Sequence, residues 1–290
     1  MSALTPPIRR WIESAAGPGA RIVGARPWPP SSTAKLGVEL ETLSGALRLV
    51  LRRYHDATRA DDPWYQPANE AAALRLLEPT PVPAPRLLAA DLTGDVCGVP
   101  ALLQTWVPGV VEWVPSDPDA YLASAAEVLV AIHAVRVAPG DVADYERYIA
   151  PDGLRVQPWC RPGLWEGVLE VVAGPPPAVS PCFIHRDYHQ GNVLSEGGRV
   201  VAVVDWPTAA IAPPGIDLAR MRMNLAWEAN VALSDRFLRA YEAAGGSPED
   251  RHPYWDLVDA ADMLEDDGMF EDQGQWDRFE DWVAHVLAEL

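Results

Sequence analysis

The 290 residues are 49% hydrophobic and carry a formal charge of −18, enough apolar material to bury a sizeable core in one large unit or two joined lobes. So acidic a chain repels nucleic acid and anionic membranes, which need basic patches, and no stretch approaches the roughly 18 uncharged apolar residues of a membrane span. The N-terminus lacks a secretory apolar core, and Cys97, Cys160 and Cys182 are odd in number and outside any CxxC pair; the expectation is a cytoplasmic protein with reduced thiols and no structural zinc.

Charge is unevenly spread. Residues 1–103 hold 11 Lys+Arg and 10 Asp+Glu, which leaves 12 and 31 for residues 104–290. In chain order, residues 38–41 and 46–54 alternate as strands about a turn at 43–45, and residues 69–77 (NEAAALRLL) form a helix that stops before Pro79. A strand over 100–107 ends at Pro108-Gly109. Residues 121–135 then place apolar side chains at helical spacing. Short strands at 192–194 and 200–204 follow, with helices over 217–244 and 255–287. This order predicts an α+β, bilobal chain: a small β-rich lobe over 1–108 and a larger, mainly helical lobe over 109–290.

The chemistry concentrates in CFIHRDYHQGNVLSEGGRVVAVVDW, residues 182–206. His185-Arg186-Asp187, four residues and then Asn192 match the H-R-D-x-x-x-x-N loop of protein kinases, and Asp205 ends the next strand. At that spacing Asp187 can orient or accept the proton of an attacking hydroxyl. Asn192 and Asp205 supply the hard oxygens that Mg²⁺ takes beside a triphosphate. Upstream, Arg52 stands where a kinase carries its phosphate-contacting lysine, and Glu70 opens the next helix where the partner carboxylate belongs. Strand alternation lets only one of Arg52 and Arg53 face a ligand; Arg52 is the expected one. Either Arg52 or Glu70 alone is explained by an edge-strand cation or a helix-start anion. His185 and His189 lie in a loop and lack the H-E-x-x-H pattern, which argues against zinc.

With these motifs in place the chain resembles the aminoglycoside phosphotransferase and choline kinase family, most specifically in FIHRDYHQGNVL, VVDW and GIDLAR; the resemblance implies that family's bilobal protein-kinase-like fold, with nucleotide bound by the lobe over 1–108 and the catalytic loop in the lobe over 109–290. The resemblance implies Asp187 as catalytic base, Asn192 and Asp205 as Mg²⁺ ligands, Asp217 as a buried brace of the loop and His185 as a structural residue beneath it. It places the adenine-edge hinge at Gln104 to Val107 and the nucleotide-covering loop at Ser31, Ser32 and Thr33. The expected activity is transfer of a γ-phosphate from ATP or GTP to a hydroxyl of a small molecule. A cationic acceptor such as an aminoglycoside would find carboxylates at Asp266, Asp267 and Glu271, although an exposed acidic helix face explains the same run. The alternatives are a nucleotide-binding pseudokinase without turnover and a kinase of a neutral antibiotic such as a macrolide. The chain departs from the pattern in three places: Arg52 replaces the usual lysine, PPSSTAKLG replaces a clear G-x-G-x-x-G, and Asp205-Trp206-Pro207 stands where protein kinases have Asp-Phe-Gly. Only eleven residues separate Asp205 from Asp217, too few for a long activation segment.

Overall fold

The computed structural model describes residues 4–28, 34–55, 66–265, 270 and 272–290. The chain divides into two compact units. The first comprises Met1–Thr80, Ala84–Pro108 and Asp205–Thr208; the second comprises Pro81–Pro83, Gly109–Val204 and Ala209–Leu290. The four residues at Asp205–Thr208 thus belong with the N-terminal β-rich unit although the sequence places them late.

In the first unit a helix α1 (Pro6–Ala16) precedes strands β1 (Arg21–Pro27), β2 (Ala34–Thr42) and β3 (Gly45–Arg53), helix α2 (Pro67–Leu77), and strands β4 (Leu87–Asp91) and β5 (Ala101–Thr105). The five strands form one sheet in the order β1-β2-β3-β5-β4, antiparallel throughout. Strand alternation turns Val38, Leu40, Leu49 and Leu51 onto one face, where they pack with Ile8 and Ile12 of α1. That leaves Lys35, Gly37, Glu39, Arg48, Val50 and Arg52 on the other. α1, β1 and β4 were not among the elements expected from sequence.

The second unit contains β6 (Val110–Val111), helix α3 (Pro118–His133), β7 (Ala143–Asp144), helix α4 (Pro162–Ala173), β8 (Cys182–Ile184), β9 (Val193–Glu196), β10 (Arg199–Val203) and β11 (Ala210–Ala212), then helices α5 (Gly215–Glu228), α6 (Val231–Ala243), α7 (Pro253–Ala261) and α8 (Gln273–Leu287). The helix expected over 217–244 is two helices, because the Asn230 side chain accepts from the Leu233 N–H and starts a new one. The helix expected over 255–287 likewise ends at Ala261 and resumes at Gln273. The core of this unit is rich in aromatic residues: Trp165, Trp227, Trp276, Phe279 and Trp282 are all buried, and Trp165 stacks on Trp276 with ring centroids 6.4 Å apart. Trp206 is fully buried. Among the described residues no helix is long and apolar enough to cross a membrane.

Candidate active site

In the first unit the open face of the sheet carries a buried ionic cluster. Arg52 is 2% exposed; its Nη1 donates to Glu70 Oε1 at 2.9 Å and its Nη2 to Asp205 Oδ1 at 2.6 Å. Glu70 reaches this position from the first turn of α2, where an acidic side chain also meets the positive end of the helix. Tyr54 Oη donates to the second oxygen of Glu70, and Gln104 Nε2 donates to the first at 3.3 Å. Burial by itself would lower the Arg52 pKa, but Asp205 and then Glu70 more than offset it, so the guanidinium is held well above its ordinary value. Arg53 points the other way and donates to the Cys97 carbonyl at 2.8 Å. Gln104 lies on β5 between two strands, with its amide donating to Glu70. Val107 follows the end of β5 and is half-buried.

Beside the cluster, on the same face, lies a pocket of about 170 Å³ lined by Arg26, Trp28, Gly37, Glu39, Arg48 and Trp106 among others. The Arg48 guanidinium sits 4.9 Å from the Trp106 ring centroid, a cation–π contact that rigidifies one wall.

In the second unit the loop after β8 is pinned from below. Asp217, completely buried on α5, accepts from the backbone N–H of His185 at 2.9 Å and of Arg186 at 2.6 Å. Its Oδ2 also lies 3.2 Å from His133 Nε2. His185 is buried, with Nδ1 accepting from the Asp187 N–H at 3.2 Å and Nε2 3.0 Å from the Val204 carbonyl, contacts that require the Nε2–H tautomer. Arg186 has φ 71° and Asp205 φ 70°, the only non-glycine residues in the left-handed region among those described. Such conformations cost on the order of 1–3 kcal/mol each and persist only where surrounding contacts over-determine them. At Arg186 the Asp217 bonds and stacking over Tyr148 at 3.9 Å do so.

Asp187 Oδ2 accepts from Asn192 Nδ2 at 2.8 Å and lies 3.5 Å from His189 Nε2, while Oδ1 lies 3.6 Å from Arg220 Nε. Burial pushes this carboxyl upward, but His189, Arg220 and His185 outweigh it and hold the group well below the usual carboxylate range. His189 stacks on Trp113 with centroids 5.8 Å apart. Gly191 between them is obligatory, since a Cβ there would meet His189 and Trp113 at 2.6 Å.

Arg220, Asp259 and Asp262 were not singled out from sequence. Arg220 is buried on α5, with Nη2 3.0 Å from Asp259 Oδ1. The acidic stretch after residue 253 is therefore not simply a solvated face: Asp256, Asp259 and Glu280 are buried, and Glu280 accepts from Trp165 Nε1 at 2.8 Å. Burial raises Asp259 to about 7 and Asp262 to about 6 despite Arg220. The Asp259 value in the folded protein lies above the roughly 3.9 of an unfolded chain. The folded state therefore binds the extra proton between about pH 4 and 7, and stability falls as pH rises through that window. Asp259→Asn should reduce the loss of melting temperature between pH 5 and pH 8 by about 3 °C or more. An unchanged pH dependence in thermal melts would mean that Arg220 keeps Asp259 ionised throughout.

Ser32 and Thr33 of the expected covering loop, and Asp266, Asp267 and Glu271 of the expected acceptor carboxylates, lie outside the described residues. Arg52, Glu70, Gln104 and Asp205 converge within the first unit. Asp187, Asn192, His185 and Asp217 converge within the second.

The same fold occurs in a thermostable mutant of aminoglycoside phosphotransferase APH(4)-Ia in ternary complex with ADP and hygromycin B, with a TM-score of 0.63 and 17% identity over 97% of this chain and 98% of that one. It occurs again in macrolide 2′-phosphotransferase MphH from Brachybacterium faecium, with a TM-score of 0.61 and 18% identity over 94% and 97%. At such identities the likeness is one of fold, and the fold is that of kinase-like phosphotransferases. The family is set by sequence: the model of the phosphotransferase enzyme family, APH, matches residues 33–256, so the chain belongs to that family.

Proposed function

We propose that this chain is a cytoplasmic, Mg²⁺-dependent kinase that moves the γ-phosphoryl group of ATP or GTP to a hydroxyl of a small molecule, with Asp187 as the base. The observation that carries this reading is the state of Asp187: a carboxylate kept ionised by His189 and Arg220 and hydrogen-bonded to Asn192, on a loop braced by Asp217. A carboxylate so held can accept a hydroxyl hydrogen bond and take its proton as the phosphorus–oxygen bond forms, and transfer otherwise needs positioning and charge neutralisation.

On the nucleotide side, the pocket beside Trp106 and Val107 receives the base, and the open sheet face leads from it past Val50 to Arg52 and Asp205. Asn192 and Asp205 are the residues proposed to offer oxygens to Mg²⁺, which takes one or two protein oxygens and completes its octahedron with phosphates and water. Among the described residues there is no group of three or more His, Cys, Asp or Glu side chains that could hold a metal by itself. When bound, the ion would neutralise charge developing on the phosphates.

For the acceptor we favour a cationic molecule such as an aminoglycoside. The net −19 borne by residues 104–290 attracts ammonium groups. Asp266, Asp267 and Glu271 are the residues proposed to meet them. A neutral macrolide is the second reading, favoured by Trp113, whose apolar ring is 45% exposed where it stacks on His189. ADP release measured with MgATP and MgGTP against aminoglycosides, macrolides, choline-like amines and sugar amines separates the two. Stimulation by an amine-rich acceptor supports the first reading, and stimulation by macrolides alone supports the second. If nucleotide binds and no acceptor stimulates release, a pseudokinase becomes the better account.

A further inference from the structure

Lys35 is the sole lysine among the 290 residues, and its position is informative. It stands on β2 directly across from Arg52 of β3, so the two cations share the open face of the sheet. Its Nζ lies 3.4 Å from Asp205 Oδ2, and its side chain keeps 26% of its exposure, against 3% for Arg52. The Arg52 guanidinium is committed to Glu70 and Asp205 through both terminal nitrogens. An arginine so buried and so paired could reach a phosphate only by leaving a carboxylate uncompensated, which is expensive.

We infer that Lys35, across the strand from the usual position, delivers the compact cation that contacts the phosphate chain of the nucleotide, while Arg52 serves as the internal strut that holds Glu70 and Asp205. The inference rests on the nucleotide-dependent reading above. Its electrostatic basis is a charge balance: Lys35 and Arg52 together match Glu70 and Asp205. Once Asp205 is engaged by a divalent cation, Lys35 loses only a long contact and becomes an excess positive charge at the surface. A triphosphate supplies the matching anion, and an ammonium suits it as a mobile point charge with three donors.

Because Lys35 is the only side-chain amine, limited acetylation followed by peptide mass mapping reads that site alone. MgATP should slow its acetylation at least about fivefold, and adenosine should not. In calorimetry Lys35→Gln should weaken MgATP binding by about ten- to hundredfold, the size of one lost charge-assisted contact, with adenosine affinity within about twofold and partial recovery in Lys35→Arg. Acetylation unaffected by saturating MgATP, or MgATP affinity unchanged in Lys35→Gln, overturns the inference while leaving the kinase reading intact. Equal loss of adenosine and MgATP binding in that variant overturns it too, since Lys35 would then support only the fold. If the parent protein binds neither MgATP nor MgGTP, both readings fall.

Discussion

Asp187→Asn is expected to lower kcat by about 10²- to 10⁴-fold, the range that a positioned base contributes, with little change in nucleotide affinity. The substitution keeps size and shape, and the new carboxamide oxygen can still accept from Asn192. The loop is held chiefly through Asp217 and His185, and the hydrogen bond that the Asp187 side chain accepts within it, from Asn192, is kept by the carboxamide oxygen. Stability should therefore stay close to that of the parent protein. What is lost is the negative charge that takes the hydroxyl proton. Steady-state ADP release and a thermal melt on the same preparation decide the matter: turnover within tenfold of the parent would remove Asp187 from the role of base.

The second large effect is expected at Asp217. Asp217→Ala should destabilise the protein by about 3–5 kcal/mol, because it deprives the buried N–H groups of His185 and Arg186 of their acceptor and leaves His133 without its carboxylate. Asp217→Asn is not a neutral control. One of its two terminal atoms donates, so it can accept strongly at one N–H and must face the other with an NH₂ group. Both variants should also lower kcat, since Arg186 is held at a positive φ by this same carboxylate and relaxes once released. Denaturant titration gives the stability loss directly; a loss below about 1 kcal/mol for the alanine variant would show that other contacts brace the loop.

The two variants together separate chemistry from support. Asp187→Asn should cost activity without stability, and Asp217→Ala should cost both. The opposite pattern at either site would exchange their assigned parts.

Much of this was legible in the chain itself because it is local. His185, Asp187 and Asn192 lie in the one loop between β8 and β9, and Asp205 follows the β9–β10 hairpin, so their spacing alone carries the kinase-like pattern. Period-two alternation in β3 was enough to turn Arg52 and Arg53 to opposite faces, as their partners Glu70 and the Cys97 carbonyl bear out. Even the brace at Asp217 could be named, through the GIDLAR resemblance.

Pairings between distant residues were beyond that reach. Lys35 meets Asp205 across 170 positions and Arg52 meets it across 153, and no periodicity relates such residues. Arg220 beside Asp187 and Asp259 is of the same kind. The acidic segment after residue 253 reads along the chain as a charged surface. Yet Asp256 and Asp259 are buried, because α5, which carries Arg220 and Arg222, packs against their helix α7 and supplies the counter-charges. Local propensity, spacing and the motif resemblance determined the class of protein, the loop at 185–192 and the alternation of the sheet. Which charges are buried, which cations face one another and how far Lys35 stays accessible were decided only by tertiary packing, since the free energy of an ionised side chain depends on its neighbours in space.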